Sequence, residues 1–109
     1  MNQNFTQTIT VHTDDPAHLV EMLKQWDLYQ ATTDIMGYMG SRLLSDREVA
    51  GRYLIVADFG VIDPDVSAAD EALRNNDRAE TQQWADRLKA AVEWEPVYRH
   101  YDELYRTDR

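Results

Sequence analysis

The stretch Arg52-Tyr53-Leu54-Ile55-Val56-Ala57-Asp58-Phe59 decides the fold. Rich in β-branched and aromatic residues and bounded by Gly51 and Gly60, it reads as a strand. Tyr53, Ile55, Ala57 and Phe59 point one way, and Leu54 and Val56 point the other. A strand apolar on both faces is central in its sheet and covered on two sides. Immediately before it, Asp46-Arg47-Glu48-Val49-Ala50-Gly51 makes a hairpin connection, with Gly51 free to take positive φ. The partner strand runs from about Tyr38 to Ser45, after the Gly37 and Gly40 punctuation.

Further out, Phe5 to His12 alternates strictly. Phe5, Gln7, Ile9 and Val11 share one face, and Thr6, Thr8, Thr10 and His12 the other, as in a half-buried strand. Asp15 caps the following helix with Pro16 at its first position. Leu19, Met22, Leu23 and Trp26 form the apolar stripe of that helix, which runs to about Ala31 before Thr32-Thr33-Asp34. Downstream, Gly60 and Asp63-Pro64-Asp65 end the central strand. Ser67 and Asp70 have capping spacing, Asn75-Asn76-Asp77 interrupts the helix, and Asp77 with Glu80 predicts a fresh start. Trp84, Leu88, Ala91 and Val92 stripe this second helix until Trp94-Glu95-Pro96 stops it. Val97 to Asp102 is a last short strand, and a charged tail follows from about Glu103.

The order is β-α-β-β-α-β, with each helix expected to cross between neighbouring strands. Right-handed crossovers place the helices on one face of a four-stranded antiparallel sheet, an α+β, ferredoxin-like arrangement. The other face, apolar at Leu54 and Val56, then needs a lid, and a second copy in a C2 homodimer supplies one.

Counts narrow the function. A chain of 109 residues suits one domain spanning 1–109. Twenty Asp and Glu against 11 Lys and Arg give a net charge of -9, which opposes phosphate-tracking nucleic-acid surfaces and anionic membranes. The absence of cysteine removes disulfides, thiolate metal sites and cysteine nucleophiles. No stretch reaches the roughly 20 apolar residues of a membrane span, and Met1-Asn2-Gln3-Asn4 lacks signal-peptide character, so a cytoplasmic location is expected. The three histidines are scattered along the chain, and neither acidic turn has a calcium loop's length, so no metal site is expected.

Taken together, the element order, Gly37-Tyr38-Met39-Gly40-Ser41-Arg42 leading into strand 2, Ala57-Asp58-Phe59 closing strand 3, and Trp84 on the second helix resemble the antibiotic-biosynthesis-monooxygenase-like family. That family belongs to the dimeric α+β barrel superfamily, and the resemblance covers residues 5 to about 105. It implies a pocket in each subunit between sheet and helices, with an aromatic at the end of strand 3, here Phe59. Members include cofactor-independent monooxygenases of polycyclic phenols, heme-degrading enzymes and proteins of no known activity. The phenolic monooxygenases use an Asn on strand 3, where this chain has Ile55 or a neighbour, and a His late in strand 2, which falls near Leu44. The heme-degrading branch uses a His on the second helix, where this chain reads Gln82-Gln83-Trp84.

Several residues have two readings. His100 shares its strand face with Tyr98 and Asp102, so it is either a general base oriented by the carboxylate or a hydrogen-bonded histidine at a dimer contact. Tyr38, Tyr53, Tyr98, Tyr101 and Tyr105 line an aromatic pocket or fill a partly wet interface. Trp26 and Trp84 are core residues that also wall any pocket present. Arg42 either pairs with Asp58 across the strands or anchors a substrate carboxylate. Asn75-Asn76 is a turn or a pocket mouth. The expected activity is a cofactor-independent monooxygenase acting on a small phenolic or quinone-like substrate. His100 is its base, and Phe59, Trp84, Trp26, Tyr38, Tyr53 and Arg42 contact the substrate. The alternative is a small-ligand-binding or regulatory homodimer without chemistry.

Overall fold

In the computed structural model, residues 3–31, 37–63 and 65–107 are described. The elements are β1 (Phe5–His12), α1 (Pro16–Ala31), β2 (Tyr38–Ser45), β3 (Arg52–Phe59), α2 (Ala68–Asn75), α3 (Ala79–Ala91) and β4 (Val97–Asp102). The expected helix break at Thr32-Thr33-Asp34 and the Pro64 turn residue lie outside the described residues.

The sheet order is β2-β3-β1-β4, every pair antiparallel. Each helical crossover therefore skips a strand, which corrects the expectation that it would join neighbours. Neighbours in this sheet run in opposite directions, whereas a crossover brings the chain back parallel to its starting strand. β3 fills the gap between β1 and β2, and β1 fills the gap between β3 and β4.

Helices α1, α2 and α3 lie on one face of the sheet. Ile9, Val11 and Ile55 pack with Leu19, Met22 and Leu23 of α1 and with Trp84 and Leu88 of α3. Phe5 and Phe59 pack with Ala68 and Ala72 of α2. Leu88 has no exposed surface, and burying such a side chain contributes about 2 kcal/mol.

Local signals act largely as the residues predict. The Ser67 hydroxyl accepts from Asp70 N at 3.0 Å, and Asp15 Oδ1 accepts from His18 N at 3.3 Å. The cap of α3 differs: Arg78 occupies it without a side-chain bond, so the Asp77–Glu80 pair does not start that helix. In the β2–β3 hairpin, Asp46 accepts from Glu48 N and Val49 N and from Arg52 Nε at 2.8 Å. Those bonds hold the Asp46 carboxyl below the usual carboxylate range, the Arg52 contact most of all. At the other end of the strands, Gly37 has φ +84°, and its carbonyl accepts from Gly60 N at 2.6 Å. A Cβ at Gly37 would run into the Gly60 carbonyl.

Candidate functional site

The strand registers set Ser41, Ala57, Gln7 and His100 in one row across the helix-covered face of β2, β3, β1 and β4. The rows on either side are bulkier. One carries Leu43, Ile55, Ile9 and Tyr98, and the other Tyr38, Phe59, Phe5 and Asp102. Where a serine and an alanine replace large side chains, the sheet cannot reach the helices, and a chamber of about 70 Å³ remains. Trp26, Trp84 and Phe59 wall it, and Ser41, Ala57 and Gln7 line its sheet side. A mouth of about 330 Å³ shares Gln7, Asn76, Thr81, Ala85 and Tyr98 with the chamber and adds Gln82 and His100. The chamber is smaller than the ~150 Å³ of a closed cavity that holds benzene, so a ring seated in it leaves its outer edge in the mouth.

The walls are fixed by packing. Trp84 is 8% exposed and donates its indole N–H to Met22 O at 3.2 Å, tying α3 to α1. Trp26 tilts against it, ring centres 5.6 Å apart at 46°. Tyr38 packs on Phe59 at 5.6 Å and donates its hydroxyl to Asp27 Oδ1 at 2.7 Å. Burial pushes the Tyr38 phenol well above its ordinary range. A hydrogen bond with Ser41 opposes the rise, and the bond to Asp27 adds to it. Tyr98 is also raised, first by burial and then by the negative charges of Glu95 and Asp86.

His100 reaches the mouth. Its ring stacks on Phe5 at 5.7 Å and 18°, and no hydrogen bond joins it to Asp102 among the described residues. Trp26, Trp84 and Phe59 thus come together, with Tyr38 behind Phe59 and His100 at the opening. Tyr53 packs at the other end of the helix-side core, opposite Val11 and Ser45. Arg42 alternates with inward Ser41 and Leu43, so it projects from the helix-free face, away from the chamber. Nor does it pair with Asp58. A bulge between Tyr38 and Gly40 sets Arg42 opposite Val56 and Gly40 opposite Asp58, which accepts from Thr6 Oγ1 at 2.7 Å. Leu44 also lies on the helix-free face, and Ile55 is buried core at 2% exposure.

Gln7 was open to detection from the alternation of β1, since it is the single polar residue on the face of Phe5, Ile9 and Val11. Asn76 combines both proposed roles. Its backbone N–H closes α2 onto Ala72 O and Leu73 O, and the residue lines the chamber. Among the described residues no three His, Asp or Glu side chains gather as metal ligands do. No described helix is long and apolar enough to cross a membrane.

No family model and no curated protein matches the sequence. Solved structures match the fold. A candidate antibiotic biosynthesis monooxygenase from Bordetella bronchiseptica superposes with a TM-score of 0.69 at 16% identity, over 95% of this chain and 100% of the other. The chain has the antibiotic biosynthesis monooxygenase fold. A similarly named protein from Nitrosomonas europaea gives 0.67 at 14% identity over 99% and 97%. An asparagine-to-alanine variant of SnoaB, a cofactor-independent oxygenase from Streptomyces nogalater, gives 0.62 at 18% over 99% and 97%. Within this monooxygenase fold, the present chain places its chamber between the sheet and helices α1 and α3, over the small-residue row.

Proposed function

We infer that the chamber takes a small phenolic or quinone-like aromatic and that the protein oxygenates it without a cofactor. The observation that carries this reading is the box of Trp26, Trp84 and Phe59 opening onto a mouth that holds His100. Flat aromatic walls suit a flat aromatic guest. The fold shared with SnoaB, itself a cofactor-independent oxygenase, supports the same chemistry. His100 takes a proton from a methylene activated by the aromatic system, leaving a delocalised carbanion. That carbanion reduces O2 and combines with it as a hydroperoxide. Loss of water then leaves a carbonyl. One oxygen atom ends in the product and the other in water, and the substrate supplies all the electrons.

The working unit in this reading is a homodimer closed over the helix-free sheet face. Leu44, Val97 and Tyr101 are 40%, 47% and 50% exposed there, around buried Val56. A monomer in sedimentation at micromolar concentration would contradict it. The second reading, a ligand-binding dimer without chemistry, is favoured by His100 itself, whose ring stacks on Phe5 with no orienting hydrogen bond among the described residues. Oxygen consumption with a panel of anthrones and hydroquinones separates the two. Uptake that falls in His100→Ala supports the oxygenase, and unchanged uptake in that variant removes His100 as the base.

A further inference from the structure

We propose that Gln7 and Asn76 form a neutral clamp for the oxygenated edge of an uncharged aromatic, which enters ring-first and excludes carboxylated analogues. The inference rests on the reading of the chamber as an aromatic site. It concerns which aromatics are admitted and in which direction.

Three observations converge. First, the lining divides by depth. The residues confined to the chamber are apolar apart from Ser41, with Trp26, Trp84, Phe59 and Ile55 among them. The polar Gln7, Asn76 and Thr81 lie at the junction that chamber and mouth share. Second, the side-chain amides of Gln7 and Asn76 have no hydrogen-bond partner among the described residues. Both side chains are half-buried, and each offers a carbonyl acceptor and an NH2 donor to water or to a guest. A phenol or carbonyl oxygen at the junction would meet both kinds of group. Third, among the described residues no Lys, Arg, Asp or Glu lines the chamber or its mouth, where His100 stands across from Gln7. A carboxylate held at that junction would trade water for two neutral amides with no Lys or Arg to offset the loss, and Asp86 and Glu95 beside Tyr98 add negative charge. The chamber's size sets the direction, since a ring that fills it keeps its outer edge at Gln7.

The test is isothermal titration calorimetry of the full chain with 4-ethylphenol and 4-ethylbenzoate at neutral pH, with the fold of each variant checked by circular dichroism. The phenol should bind at least about tenfold more tightly than the benzoate, and Gln7→Leu should weaken the phenol about five- to tenfold, as loss of one hydrogen bond does. Gln7→Arg should reverse the preference by giving the carboxylate a cation. Equal binding of the two compounds, or a Gln7→Leu protein that holds the phenol as the parent does, would overturn the clamp. The preference without oxygen uptake on any substrate would leave the clamp standing and remove the oxygenase reading. Uptake without the preference would do the reverse.

Discussion

Replacing Trp84 with phenylalanine tests whether the chamber wall is also a structural tie. The indole is 8% exposed and its N–H reaches Met22 O at 3.2 Å, so the change removes a buried bond between α3 and α1. The lost bond is worth about 1 kcal/mol. Shrinking indole to phenyl withdraws roughly 40 Å² of apolar burial, about another 1 kcal/mol. The expected loss is therefore about 2 kcal/mol, against about 4 kcal/mol for Trp84→Ala, which leaves the whole cavity empty. Urea unfolding followed by far-ultraviolet circular dichroism, at matched protein concentration, reads this directly. The midpoint for Trp84→Phe should fall by about 1–2 M with the slope unchanged. A loss below about 0.5 kcal/mol would refute the bond and the packing together, because neither term alone is that small.

Gly37→Ala should destabilise by about 2 kcal/mol or more, since it combines a positive φ with a clash on the Gly60 carbonyl. Gly40→Ala, with φ +125° and open space around the new Cβ, should lose less, and thermal unfolding of the pair checks the order. The Asp46 carboxyl is depressed in the folded protein, so its stabilisation is present above the ordinary carboxylate range and lost as pH falls through the folded value. Asp46→Asn should therefore lower the melting temperature at neutral pH and converge with the parent in acid. The Tyr38 phenol is raised instead, so its contribution is complete below the ordinary tyrosine range and is lost as pH rises beyond it. Tyr38→Phe should flatten the decline in melting temperature above about pH 10, the ordinary tyrosine value.

How far the residues announce all this depends on whether the signal is local. The eight residues of β3 carry their own pattern, and the strand begins and ends where that pattern does. The helix stripes at Leu19, Met22 and Leu23 and at Trp84 and Leu88 all become core, because helical spacing fixes which residues share a face. The cap of α3 is less legible. Asp77–Glu80 has the right spacing, but the turn after Asn76 delays the helix to Ala79. Register is not local at all. The bulge between Tyr38 and Gly40 sets what Arg42 faces, and no residue count along β2 reveals it. The chamber depends on register twice over, since Ser41, Ala57 and Gln7 become one row once three strands are aligned. Its clue in the sequence was Gln7, a polar residue on an otherwise apolar strand face. Trp26, Trp84 and Phe59 were legible as large apolar anchors. Arg42 and Tyr53 were drawn in by residue type, and the pleat and strand position carry them elsewhere.

Three tryptophans make the central claim directly measurable, because two wall the chamber and the third, Trp94, packs tilted against His12 with ring centres 4.4 Å apart and is 65% exposed. In a proton–nitrogen correlation spectrum titrated with 4-ethylphenol, the indole resonances of Trp26 and Trp84 should move along a saturating curve while that of Trp94 stays in place. Equal movement of all three, or movement of Trp94 alone, would show that the aromatic sits somewhere other than over Ser41, Ala57 and Gln7.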